Sequence, residues 1–177
     1  MGIDPGTTVM GYGIIRTSGQ IMELLSMGSI HLSKYKNHQL KLKNIFERMT
    51  YLIGEYKPDF CAIESPFYGK NVQSMLKLGR AQGVCMAAVL TKDIPVVEYS
   101  PKKIKLAITG NGNASKQQVA AMLQRLCEFE ERPKFLDATD ALATAVCHHF
   151  QGSLGSENHT SFRNWTDFLK NNPERIK

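Results

Sequence analysis

Four carboxylates stand where side-chain type and position allow chemistry. Asp4 closes the short apolar run Gly2-Ile3 just before a Pro5-Gly6 turn, and Glu64 closes Phe60-Cys61-Ala62-Ile63 just before Ser65-Pro66. Asp137 and Asp140 are three residues apart among Ala138, Ala141, Leu142, Ala143 and Ala145, a spacing that puts both on one face of a helix. Carboxylates gathered without counterions repel one another, and some stay protonated. Two divalent cations would balance four such charges, and an oxygen-only donor set favours Mg²⁺ or Mn²⁺ over zinc. Taken singly, each acid also reads as a cap or a solvated charge, and Asp137 as a first-turn acid favoured by the helix dipole.

Positioning these acids is the task of the elements around them. A first strand ends at Asp4, and strands over Val9–Arg16 and Ile21–His31 flank Thr17-Ser18-Gly19-Gln20 as an antiparallel meander. Leu40, Ile45, Met49, Leu52 and Ile53 recur at helical intervals over His38–Tyr56. Phe60–Ile63 reads as a strand buried on both faces. A long helix follows from Val72 to Thr91, then a short strand at Val96–Glu98. Ser100-Pro101 opens a helix ending at Gly110, Ser115 caps the next, and the last spans Leu136–Phe150. The small alanines of that last helix let it approach a sheet closely. The order implies one α/β domain over residues 1–150 with a mixed sheet. Residues 151–177 change in composition and are expected to form a flexible C-terminal extension.

Charge is unevenly spread. The 177 residues carry 22 Lys and Arg against 16 Asp and Glu, a formal net charge of +6. No acid occurs from Ser65 to Lys92, which holds Lys70, Lys77, Arg80 and Lys92. None occurs from Tyr99 to Cys127, which holds Lys102, Lys103, Lys105, Lys116 and Arg125. Such stretches suit a polyanionic partner, although Lys77 and Lys92 read as ordinary solvated surface. The longest apolar run, Val84–Leu90, is far short of the roughly 20 residues of a membrane span. No secretory pattern opens the chain, and Cys61, Cys85, Cys127 and Cys147 are scattered without a Cys-x-x-Cys pair. These features point to the cytoplasm and away from membranes, disulfides and zinc. Cys147-His148-His149 reads as a helix end with solvated histidines.

The stretches Gly-Ile-Asp-Pro-Gly-Thr-Thr-Val-Met-Gly-Tyr-Gly, Ala-Ile-Glu-Ser-Pro-Phe-Tyr-Gly-Lys-Asn, Leu-Lys-Leu-Gly-Arg-Ala-Gln-Gly and Asp-Ala-Thr-Asp-Ala-Leu-Ala resemble the RuvC family of bacterial Holliday-junction resolvases. The resemblance covers residues 1 to about 150, in order. It implies a ribonuclease H-like fold, a mixed five-stranded sheet flanked by helices. It also implies a homodimer and Mg²⁺-dependent cleavage of two strands at a four-way DNA junction, with the RuvA–RuvB branch-migration complex as partner. The family's catalytic and metal-binding acids fall on Asp4, Glu64, Asp137 and Asp140. The chain starts only three residues before Asp4, so its first strand should be short.

The chemistry expected of such a site is two-metal phosphodiester hydrolysis leaving 5′-phosphate and 3′-hydroxyl ends, with Asp4 bridging two ions. Lys105 and Lys116 match basic positions the family uses near the scissile phosphate, and Lys70, Arg80 and Lys102 join them as candidate DNA contacts. Phe67, by resemblance, and Tyr68, which core packing explains equally well, could stack on a base at the crossover. Gly11 and Gly13 allow close approach either of DNA or of neighbouring backbone. Gly79 and Gly83, with Leu76 and Met86 alongside, form a candidate dimer face, unless that face packs on the chain's own sheet. Three other readings stay open: an actin- or heat-shock-like ATPase fragment sharing the Gly-Ile-Asp-x-Gly-Thr-Thr motif, a non-catalytic DNA-binding scaffold of the same fold, and a nuclease acting on RNA–DNA hybrids or RNA ends. The ATPase class needs a second lobe, for which 177 residues leave little room.

Overall fold

The computed structural model describes residues 1–66, 71–129 and 136–156. Five strands, β1 (Gly2–Asp4), β2 (Val9–Ser18), β3 (Ile21–His31), β4 (Cys61–Glu64) and β5 (Val96–Tyr99), form one sheet in the order β3-β2-β1-β4-β5. The β1–β2 and β2–β3 pairs are antiparallel, whereas β1–β4 and β4–β5 are parallel. The sheet is therefore mixed, as its sequence pattern implies.

Five helices cover the two faces: α1 (His38–Tyr56), α2 (Val72–Leu90), α3 (Pro101–Thr109), α4 (Lys116–Leu126) and α5 (Leu136–Ser156). Helices α1 and α2 pack together over one face, where Ile3, Met10, Ile45, Met49, Ile63, Cys85 and Val89 are buried. Helices α3, α4 and α5 cover the other, around Ala62, Ile104, Leu123, Leu142 and Val146. Strand alternation explains the split, because Ile3 and Ile63 point to one side while Ala62 points to the other. Four of the five helix starts are fixed locally. Asn37, Asn71, Ser100 and Ser115 each accept a hydrogen bond from a backbone N–H in the first turn of α1, α2, α3 and α4.

Glycines set the depth at which α5 sits. Gly2 of β1 pairs with Gly13 of β2, and Asp4 pairs with Gly11, so all four share the face under α5. A methyl group on Gly2 would lie 2.2 Å from the Ala141 carbonyl oxygen, and one on Gly13 would lie 2.6 Å from Leu142 Cα. On Gly11 it would lie 2.0 Å from the Asp137 carbonyl oxygen. Helix backbone thus rests directly on strand backbone, which settles Gly11 and Gly13 as packing positions for α5 and leaves no room there for DNA.

Helix α5 continues to Ser156, beyond the expected end at Phe150, because its ladder runs on through Gly152 and Gly155. The remainder of the C-terminal extension, 157–177, lies outside the described residues. Nor are the histidines at the end of the Cys-His-His run simply solvated. The Tyr99 hydroxyl and His148 Nδ1 are hydrogen-bonded at 2.8 Å, and Phe60 packs on the imidazole with ring centroids 5.2 Å apart.

Candidate active site

Asp4 and Glu64 are the last residues of two adjacent parallel strands. Gly2 is in register with Ala62 and Ile3 with Ile63, so Asp4 and Glu64 occupy equivalent pleat positions and leave the sheet on the α5 side. Parallel neighbours that end together open a crevice at their carboxyl ends, the usual place for a ligand in an α/β sheet. The first turn of α5 lies over that crevice and delivers Asp137 and Asp140. One carboxylate oxygen from each of Asp4, Asp137 and Asp140 lies within 4.8 Å of the others. Glu64 stands outside that tight group but lines the same cleft, about 200 Å³ in volume, with Asp4, Lys105, Lys116 and Asp140. Ile104, Val119 and Ala143 form its apolar wall.

The electrostatics record the crowding. Burial, then the charges of Glu64, Asp140 and Asp137, push the Asp4 carboxyl up to about 8, against the opposing effect of Lys116. Burial and then Asp140 push Glu64 up to about 7, with Lys116 and Lys105 opposing. Near neutral pH these two acids retain protons that a divalent cation would replace. Among the described residues this half-buried cleft gathers four carboxylates and no sulfur or imidazole donor, a set that fits a hard, oxygen-seeking ion.

Lys116 acts as the cleft's internal counterion. Its Nζ donates to Asp140 Oδ2 at 2.5 Å, and that hydrogen bond is the main cause that holds its ammonium above its ordinary value. A capping box places it there. Ser115 Oγ accepts from the Gln118 N–H at 3.2 Å, and Gln118 Oε1 accepts from the Ser115 N–H at 2.8 Å, locking the first turn of α4. Lys105, one turn into α3, reaches the same cleft.

The other expected contacts divide. Lys102 lies against Gly112 in the α3–α4 loop and is not among the cleft residues. Arg80 belongs to α2, on the opposite layer. Phe67, Tyr68 and Lys70 lie outside the described residues. On α2, Leu76 is 53% exposed, and a methyl group on Gly79 or Gly83 would meet nothing within 4 Å. That glycine face therefore does not pack on the chain's own sheet. Met86 does turn inward, against the buried cluster under α1 and α2, and drops out of the exposed face. The apolar cleft wall was missed from sequence. Ile104, Val119 and Ala143 look like ordinary core residues, and only the meeting of three helices brings them beside the acids.

The model of the family described as "Crossover junction endodeoxyribonuclease RuvC" matches residues 1–148. The chain belongs to this RuvC family. A RuvC of Cytophaga hutchinsonii is 57% identical over the whole chain and 87% of the relative's length. A RuvC of Bacteroides fragilis is 58% identical, again over the whole chain and over 95% of its own length. Thermus thermophilus RuvC, solved in complex with a Holliday junction substrate, superposes with a TM-score of 0.82 at 29% identity, covering 88% of this chain and 94% of the other. The yeast mitochondrial Holliday junction resolvase Ydc2, at 15% identity and a TM-score of 0.64, shares the fold. RuvC relatives matched over the full chain remove the ground for an ATPase fragment, whose first phosphate motif is here the β1–β2 turn of a nuclease. No described helix is long and apolar enough to cross a membrane.

Proposed function

We propose that this RuvC family member resolves four-way DNA junctions by paired symmetric nicks, using Asp4, Glu64, Asp137 and Asp140 to hold two Mg²⁺ ions, with Mn²⁺ as a substitute. The observation carrying this reading is the convergence of four acids from β1, β4 and α5 on one half-buried cleft. Asp4 is common to the tight trio and to the pair with Glu64, so it is the ligand the two ions would share. Ions held there would supply Lewis acidity for activating the attacking water and stabilising the leaving 3′-oxygen. The chain's own groups do the rest. Glu64 and Asp140, whose charges both act on Asp4 in the same cleft, would orient an incoming water by hydrogen bonding. Lys105 and Lys116 hold the phosphate oxygens against the acids, and the wall of Ile104, Val119 and Ala143 limits bulk water. The expected products carry 5′-phosphate and 3′-hydroxyl ends.

Paired nicking requires two sites related by a two-fold axis. The exposed apolar line Val72, Leu76, Gly79 and Gly83 along α2 supports a homodimer packed through this face, where paired glycines permit close backbone approach. Family membership supports a cytoplasmic protein working with the RuvA–RuvB branch-migration complex. A synthetic four-way junction and a linear duplex, each incubated with Mg²⁺ or with chelator, test the reading. Symmetric nicks in the junction alone, dependent on metal, are expected. Equal cutting of duplex, or cutting in chelator, would refute it.

A further inference from the structure

Asp4 ends a strand of three residues, so little of the sheet holds it. Its backbone pairs with Gly11 on the β2 side, whereas the register with β4 is made by Gly2 and Ile3 and stops before it. The chain then leaves the sheet through Pro5, Gly6, Thr7 and Thr8 and returns as β2 at Val9. That turn is held from several directions. A methyl group on Gly6 would lie 1.7 Å from the Val9 carbonyl oxygen, so the turn closes tightly on its own exit. The Leu32 N–H, just past β3, donates to the Thr8 carbonyl oxygen at 2.8 Å. Lys41 belongs to α1, on the face of the sheet away from α5. Its Nζ donates to the Thr7 carbonyl oxygen at 2.8 Å, in a partly buried bond that spans 34 positions of the chain. Among the described residues Lys41 pairs with no carboxylate, and no other side chain bonds to the turn.

A charged donor makes a hydrogen bond roughly twice as strong as a neutral one, and here it acts on a turn that the sheet ladder does not reach. What leads into the turn is Asp4, whose carboxylate lies in the cluster with Asp137 and Asp140 although their charges repel it. We infer that Lys41 is a positioning residue for the metal site: by holding the Thr7 carbonyl it fixes the turn behind Asp4 and keeps the Asp4 carboxylate beside Asp137 and Asp140 for incoming ions. The inference rests on the metal-dependent resolvase reading and extends the site to the far layer of the sheet. It also separates two effects. Ions already in place draw the carboxylates together themselves, so loosening the turn weakens ion capture more than it slows the cleavage that follows.

The test compares the full-length chain with Lys41→Met, which keeps the aliphatic stem and removes the donor, and with Lys41→Arg, which restores one. Mn²⁺ is titrated by calorimetry without DNA, and single-turnover nicking of a four-way junction is followed against Mg²⁺. Lys41→Met should bind Mn²⁺ about tenfold more weakly, the low end of what removing a group that orients a metal ligand costs. Its half-saturating Mg²⁺ should rise by the same factor, while the rate at saturating Mg²⁺ stays within about threefold of the parent, as when a binding contribution alone is lost. Lys41→Arg should recover most of both. The melting temperature in chelator checks that the fold is intact, and Lys41→Gln serves the same comparison if Lys41→Met does not fold. Unchanged Mn²⁺ affinity in a folded variant overturns the positioning role. A lysine that contacts DNA instead would flatten the salt slope of junction binding, read in an Asp4→Asn background, by about 0.9; that change with normal Mn²⁺ binding overturns it too. If the parent neither binds Mn²⁺ nor needs metal to nick, the resolvase reading fails and the positioning role falls with it. If the parent does both and the variant matches it, only the positioning role is lost.

Discussion

One methyl group at Gly11 tests whether the close docking of α5 positions the acids. Gly11 is the β2 partner of Asp4. An added Cβ would lie 2.0 Å from the Asp137 carbonyl oxygen and 3.1 Å from Ala141 Cβ. Ordinary contact begins near 3.4 Å, so α5 must retreat by about 1.4 Å at the residue that carries one of the three clustered carboxylates. The obstacle is helix backbone, which cannot swing aside like a flexible side chain. Overpacking of this kind costs about 1–3 kcal/mol, and in a chain of this size lowers the melting temperature by about 2–12 °C. Misplacing a catalytic group by about 1 Å costs on the order of a hundredfold in rate. Gly11→Ala should therefore remain folded and bind junction, while its single-turnover nicking rate in saturating Mg²⁺ falls roughly a hundredfold. Gly54→Ala in α1 is the control. Its methyl would meet nothing within 4 Å, and the change should stabilise the chain by about 0.5–1 kcal/mol without altering nicking. If Gly11→Ala nicks within about threefold of wild type at the same Mg²⁺ dependence, the seating of α5 on β2 does not hold the site together.

Four further outcomes follow from the same structure. Asp4→Asn should abolish cleavage while leaving junction binding largely intact; near wild-type nicking with Mg²⁺ would remove Asp4 from the site. Because Asp4 is raised from 3.8 to about 8 in the fold, the folded state binds the extra proton. The metal-free protein should then lose stability as pH rises from about 4 to 8, by about 4 kcal/mol at pH 7 from this group. Thermal unfolding in chelator should show that slope, Mg²⁺ should reduce it, and Asp4→Asn should flatten it. Lys116→Gln removes a competing cation from Asp140, so Mg²⁺ should bind about two- to fivefold tighter while nicking slows and the junction salt slope falls by about one; calorimetry that found weaker Mg²⁺ binding would contradict the counterion role. If the chain dimerises through the exposed α2 face as proposed, Leu76→Asp should make it sediment as a monomer without lowering the melting temperature of the monomer, and paired nicks should become single.

Local signals were readable where neighbours in sequence decide the outcome. His38–Tyr56 is helical from end to end as its periodicity implies, and Ser100-Pro101 and Ser115 cap α3 and α4. The acids were visible because each ends an element, a property of one short segment. Their inequality was not visible. Glu64 stands apart from the Asp4–Asp137–Asp140 trio, while Gly2, Gly11 and Gly13 seat α5 directly on β1 and β2, the strands that hold Asp4 and its partner. Met86 looked equivalent to Leu76, yet it lies on the α1 side of α2 and is drawn into the core.

The direction in which the helices run has a consequence for how such a protein can vary. Helices α1, α3, α4 and α5 all begin at the rim where β1 and β4 end, and α1, α3 and α4 carry no acid in their first turns. Each such terminus presents about half a positive charge from its backbone amides. This part of the attraction for a polyanion is set by chain connectivity, so no single substitution removes it and no pH change titrates it. A change at any one lysine of the rim leaves this share of the attraction in place, so individual lysines are free to change. The acids have no such freedom, because the backbone contributes nothing in their place.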